Sequence, residues 1–295
     1  MPGAYAHITL VNLAADAAGL RRAGFPEDLL GAIQGWFRFA ELGALSPDLP
    51  YLDILHPPAK AWADAMHYER TDQVIRAAWA GLQRLEGDER EKATAWLFGY
   101  VSHVIGDVTI HPVVELKVGP YAQNQKQHRV CEMNQDVHIF ARLNIAAIDL
   151  ADHLGSGVGL CGGPDGLDRA VRDLWTGALT AVHPGLAAPD PGAWHAGFCR
   201  VVETISAASG SRLVALARHV VPGDHGIVYP PAADPAFIAA LETPAGTQSY
   251  DQVFDRAIDN VQRVWRDLAE GRLDILEPWN LDTGRNPAGR LSLWN

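Results

Sequence analysis

Apolar and polar residues alternate at helical spacing along almost the whole chain. Tyr5, Ile8, Leu10, Val11, Leu13 and Ala14 predict a first helix over residues 4–20. A second is expected over 26–42, with Pro26 in its first turn and Glu27 and Asp28 at its positive end. The connector 43–51 carries Pro47 and Pro50 and reads as irregular; 55–62 continue it and lead into a helical stretch containing His67. Helices over 71–86 and 89–111 follow, then a loop over 117–127 rich in Gln and Asn, then a long helix from His128 to His153. After a Gly-rich loop over 155–166, helices are expected over 165–182, 191–219, 234–242 and 249–270. Residues 271–295 read as irregular, and no run alternates as a strand does. The expected fold class is all-α, a single domain over residues 1–295 organised around one buried helix.

That helix is the run from Trp96 to Pro112, apolar on nearly every side as a helix in the middle of a protein is. It nevertheless carries His103, Asp107 and His111, each four residues after the last. A step of four returns to the same face with a drift of about 40°, so three ligand-type groups form one stripe. A buried, unpaired carboxylate costs several kcal/mol or takes up a proton. A divalent cation removes that cost, and a metal is the favoured reading over a purely structural polar network. Pro112 is expected to end the helix at His111, leaving that imidazole at an open helix end.

Composition narrows the choices. Hydrophobic residues make up 48% of the 295 residues, enough for a sizeable core. A net charge of −11 argues against stable nucleic-acid binding, which rests on cationic contacts to phosphates. Cys131, Cys161 and Cys199 are too few and too scattered for a disulfide framework and are expected to be thiols with no ligand role. No charged-then-apolar leader and no membrane-spanning run is visible, so a cytoplasmic location and no transmembrane segment are expected. Gly157, Gly159 and Gly162 fit GxGxxG, but between helices that spacing carries no dinucleotide reading.

Other ligand-type residues flank the central run. His7 lies near the first helix start, Asp48 in the Pro-flanked connector, His67 before Tyr68, and His128 and Glu132 one helical turn apart. Singly, each has an ordinary reading: a polar core histidine, a turn-capping Asp, a His–Glu hydrogen bond. Their order changes the picture. The segments Ala-His-Ile, Leu-Ser-Pro-Asp and Tyr-Val-Ser-His-Val-Ile-Gly-Asp, followed by HxxxE, resemble the superfamily of zinc-dependent phospholipase C and S1/P1 nuclease. The likeness is closest to its branch with the amino-terminal domain of glycosylphosphatidylinositol-specific phospholipase D, and it covers residues 3–140; 141–295 read as helical completion and an irregular end.

The resemblance implies an all-helical domain around two or three zinc ions. It implies that Asp48, His67, His103 and Asp107 hold one ion, that His111, His128 and Glu132 hold a second, and that His7 with a bridging Asp107 holds a third. It implies a phosphodiester hydrolysed by zinc-activated water, with Asp48 as catalytic base, and a small phosphoester or phospholipid as substrate. In that superfamily the terminal amine joins the early His at the third ion; here both that arrangement and a frayed terminus stay open, the frayed terminus being the favoured reading. Leu49, Asp64 and Ala65 stand where the phosphatidylcholine-preferring enzymes build an aromatic and acidic choline pocket, so no choline preference is expected. Three alternatives stay open. A single-strand nuclease or nucleotidase of the same superfamily needs stacking surfaces, for which Tyr51, Tyr68 and Tyr121 are candidates, and positive charge, for which Arg129 is the main one. A metal enzyme of another reaction is weighed against the lack of Glu-x-x-His pairs and of HExxH. A non-catalytic, metal-stabilised binding protein is weighed against the absence of Cys among the ligands. The oligomeric state is not encoded in these patterns.

Overall fold

A computed structural model describes residues 3–53, 56–143, 155, 157–208 and 230–295, and the fold is all-α. The expected helix tails over 144–153 and 209–219, and the terminal amine, lie outside the described residues. The chain forms α1 (Ala4–Ala14), α2 (Ala17–Arg22), α3 (Glu27–Gly35), α4 (Phe37–Leu45), α5 (Pro57–Tyr68), α6 (Thr71–Leu82), α7 (Gly87–Val118) and α8 (Tyr121–Phe140). After a short antiparallel ribbon of β1 (Gly162–Gly163) and β2 (Gly166–Leu167) come α9 (Arg169–Val182) and α10 (Pro191–Ala208). A second ribbon, β3 (Leu241–Thr243) with β4 (Gly246–Gln248), precedes α11 (Tyr250–Ala269).

Helix α7 is the axis of the molecule. Every residue from Ala93 to Val114 is buried, and α1, α3, α4, α6, α8, α9 and α11 all pack on it. Two buried tryptophans here, Trp96 of α7 and Trp265 of α11, keep their indole N–H satisfied. Trp265 Nε1 donates to the Phe98 carbonyl at 2.9 Å and Trp96 Nε1 to Ser46 Oγ at 2.9 Å. Where α4 crosses α7, Gly43 and Gly99 face one another's backbones. A Cβ on Gly43 would overlap the Trp96 carbonyl, and one on Gly99 the Ala40 carbonyl. Only glycine permits this approach, and it brings the end of α4 against the ligand stripe.

Several boundaries differ from the sequence expectation. The first helix breaks after Ala14 because the Asp16 side chain accepts from the Ala18 and Gly19 amides and starts α2 anew. The second breaks at Trp36, whose backbone (φ −118°) leaves the helical region. The connector is regular in part: α4 runs to Leu45 and a 3₁₀ turn spans Ser46–Leu52. The loop expected over 117–127 is mostly the first turns of α8, which start at Tyr121 after Pro120. Residues 234–242 are a 3₁₀ turn (Pro235–Phe237) and strand β3, not a helix. Thr243 closes that hairpin by donating to the Gly246 carbonyl at 2.6 Å and accepting from the Ala245 amide at 3.1 Å.

The largest correction concerns Pro112. Helix α7 does not stop at His111 but runs through Pro112 to Val118. Proline leaves the Val108 carbonyl without its helical donor, and the chain's last segment covers this weak point. Gly284 packs on the Val108 carbonyl and the Pro112 ring, and Trp294 Nε1 donates to the Thr109 carbonyl at 3.0 Å. Residues 271–295 have little regular structure, as expected, but they are a fastened strap: Trp279 and Leu281 are fully buried.

Candidate metal centre

Five sequence candidates, His7, Asp48, His67, His128 and Glu132, converge from α1, the Ser46–Leu52 turn, α5 and α8 on the other three, the α7 stripe of His103, Asp107 and His111. Asp107 sits at the centre. His7 Nε2 lies 3.4 Å from its Oδ1, His103 Nε2 3.4 Å and His67 Nε2 3.9 Å from its Oδ2. Asp48 Oδ1 is 3.4 Å from His67 Nε2. His7 and His103 stack with ring centroids 3.9 Å apart. Two triplets, His7 with His103 and Asp107, and Asp48 with His67 and His103, have ligand atoms all within 4.8 Å of one another. The set on the other side is looser: Glu132 Oε1 lies 3.8 Å from His111 Nε2 and 4.0 Å from His128 Nδ1.

The rings are aimed by backbone. His67 Nδ1 bonds the Ala63 carbonyl at 2.7 Å, His103 Nδ1 the Ala44 carbonyl at 2.8 Å, His128 Nε2 the Gly119 carbonyl at 2.6 Å, and His111 Nδ1 the Leu281 carbonyl. A carbonyl only accepts, so each bonded nitrogen carries the proton and the other presents a lone pair to the cluster. The Gly43–Gly99 crossing is what brings Ala44 within reach of His103.

The facing atoms have no other occupation. Both nitrogens of His7, Nε2 of His67, His103 and His111, Nδ1 of His128, Oδ1 of Asp48 and both oxygens of Asp107 are buried without a hydrogen bond. Buried polar atoms are ordinarily satisfied, and the eight of these that face the stripe, one from each His and from Asp48 and both from Asp107, fit a site for cations. The donor set, imidazole with carboxylate and no thiolate, suits zinc in an open site. The electrostatics agree. Burial, together with neighbouring His103, pushes the His7 imidazole down to about 4. Burial alone would raise Asp107, but His103 and His111 hold its carboxyl well below the usual carboxylate range. Burial opposes charge on His103 as well, yet Asp107 and Asp48 raise it. Negative charge from Asp107 and Asp48 is thus concentrated where a cation would sit.

Asp48 is the most exposed member, its side chain 19% accessible where those of His67, His103 and Asp107 are closed off, and it marks the mouth. Tyr51, Tyr68 and Tyr121 stand around it, their rings 5.6 and 6.1 Å from His67 and 5.3 Å from His128. Tyr51 donates to Asp64 Oδ1 at 2.8 Å and Tyr68 to Asp282 Oδ2 at 2.7 Å. Sequence reasoning had placed no aromatic–acidic pair here, because Tyr51 and Asp64 meet only through the fold. Leu281 and Asp282 were missed altogether; no local pattern marks a backbone carbonyl as an anchor. Arg129 is buried beside His128. The three cysteines are free, and Cys131 is fully buried. A groove of about 580 Å³ between α6 and α9, lined by Ala77, Gly81 and Ala178 among others, contains none of the cluster.

An all-helical domain folded around a buried cluster of His and Asp side chains defines a class, helical domains with a centre suited to metal ions. Residues 6–184 match the family of zinc-dependent phospholipase C, and the chain belongs to that family. All eight candidate residues fall within the match. No curated protein and no solved structure matches the chain. No helix among the described residues is long and apolar enough to cross a membrane.

Proposed function

We propose that this protein is a zinc-dependent phosphodiesterase of phospholipase C type, acting on a small phosphoester or a phospholipid headgroup. The observation that carries the reading is the gathering of eight buried ligand atoms without a hydrogen bond along one stripe with a partly open side. Asp48, His67, His103 and Asp107 would hold one ion, His7 with Asp107 another, and His111, His128 and Glu132 a third. Zinc, when bound, supplies positive charge for the phosphate oxygens and lowers the pKa of a water. The chain's own part is positioning and proton handling. Asp107, whose two oxygens face different histidines, is suited to bridge two ions. Asp48, the most exposed member of the cluster, would orient an attacking water and accept its proton. The backbone-anchored imidazoles keep their lone pairs turned inward, so little reorganisation accompanies the reaction.

The test is Asp48→Asn assayed on bis(p-nitrophenyl) phosphate and on phospholipid in mixed micelles, beside zinc analysis. Loss of hydrolysis by about 10²–10⁴-fold with at least two ions retained supports the reading. Wild-type protein that carries zinc but cleaves neither substrate contradicts it.

A further inference from the structure

The family match ends at residue 184, yet one of the four anchored imidazoles is held by a residue almost a hundred positions later. We infer that the carboxy-terminal strap, residues 279–284, is a positioning element of the metal centre, fixing the ring of His111 through the Leu281 carbonyl. The backbone of Leu281 links two ligand-bearing helices. Its N–H donates to the His67 carbonyl at the end of α5 at 2.9 Å, and its carbonyl accepts from His111 Nδ1 on α7. The strap is fastened on both sides of that residue. Thr71 Oγ1 donates to the Trp279 carbonyl at 2.9 Å, and the Tyr68 hydroxyl to Asp282 Oδ2 at 2.7 Å. Asn280 Oδ1 accepts from the Asp282 amide at 3.0 Å and closes the turn.

The turn can reach His111 because of two residues acting together. Pro112 removes the amide that would have met the Val108 carbonyl, and Gly284, at φ +66°, lies directly against that carbonyl and 2.6 Å, measured from where its Cβ would be, from Pro112 Cγ. Any side chain at 284 meets both a collision and a left-handed backbone. The helix interruption read from sequence as a stop is therefore the docking notch for the strap. A bond from Nδ1–H to a carbonyl fixes the tautomer with Nε2 bare, which is the state that faces Glu132 Oε1 at 3.8 Å. The inference depends on the metal reading above for its consequence in zinc affinity, and on geometry alone for the state of the His111 ring.

The experiment uses full-length protein carrying Gly284→Ala, with exposed Arg285→Ala as the control from the same turn and Tyr68→Phe as a variant that loosens the strap without a collision. Two readouts are taken: zinc competition titration against a chromophoric chelator, and ¹⁵N-histidine spectra of the metal-free protein, with His111 assigned by His111→Gln. The wild type is expected to show His111 as the Nδ1–H tautomer. Gly284→Ala should lose that preference and bind one ion about 10- to 100-fold more weakly, the remaining ions being unchanged; Tyr68→Phe should move both readouts the same way by less. Equal weakening of every ion, or an unchanged His111 signal in Gly284→Ala, overturns the inference. If Gly284→Ala does not fold, an unchanged His111 signal and affinity in Tyr68→Phe overturn it instead. Wild-type protein that binds no zinc yet shows the tautomer and loses it in Gly284→Ala removes the functional reading and leaves the strap's role standing.

Discussion

Removing the metal should cost this protein much of its stability, and the structure sets the scale. Eight buried ligand atoms facing the stripe have no hydrogen-bond partner, and each such atom costs about 1–3 kcal/mol when left unsatisfied. Even the lower figure, taken over the cluster, is on the order of the whole folding free energy of about 5–15 kcal/mol. Water entry and the contacts of Asp107 with His7 and His103 at 3.4 Å offset part of it. A net loss of at least about 4 kcal/mol remains, equal to the linkage expected from zinc held at about 1,000 times its dissociation constant. For a chain of 295 residues that corresponds to roughly 6 °C or more in Tm. Differential scanning calorimetry of the zinc-loaded protein, the chelated protein and the chelated protein with zinc restored reads it directly. A Tm that moves by under about 2 °C, with elemental analysis showing the metal gone, refutes the reasoning, because the bare atoms would then have found other partners at no cost.

Three further outcomes follow from the same geometry. Chelated protein should lose stability as pH falls from about 6.5 to 4, because the unfolded chain takes up a proton at His7 near 6.5 whereas the folded one resists until about 4. The His7 contribution is complete above 6.5, amounts to about 3 kcal/mol, and should vanish from the slope of urea-unfolding free energies in His7→Gln; parallel slopes in the two proteins contradict it. Gly99→Ala should destabilise by about 1–3 kcal/mol or more, since its Cβ would overlap the Ala40 carbonyl, and it should weaken zinc binding through His103; a wild-type Tm and zinc content in this variant would show that α4 can retreat freely. Cys131→Ser should keep its full metal content, as Cys131 is buried, and burial pushes its thiol up to about 12, far from the thiolate a ligand needs; loss of an ion on that substitution would give the thiol a role.

The site was legible wherever ligand spacing is a property of one helix. His103, Asp107 and His111 fall on one face of α7 at a spacing of four, and His128 and Glu132 on one face of α8, so periodicity alone pairs them. His7, Asp48 and His67 carry no such local signal and entered only through the order of motifs in a resembling family. Tertiary contact decided the rest. Pro112 reads as a helix stop because local sequence cannot show Gly284 and Trp294 covering the interrupted turn. The hairpin at 241–248 was missed because three-residue strands are too short for an alternating pattern to register. The Leu281 anchor is a backbone group, and backbone groups leave no trace in residue type.

The central claim is that Asp107 joins two ions at the heart of the cluster, and zinc counted per chain tests it most directly. Wild type, Asp107→Ala and His7→Ala are purified in zinc-supplemented medium, dialysed against trace-metal-free buffer and measured by inductively coupled plasma mass spectrometry. The account predicts at least two ions in wild type, the loss of one in His7→Ala at most, and a larger loss in Asp107→Ala. Fewer than one ion in wild type after zinc reconstitution, or the same loss in both variants, contradicts it.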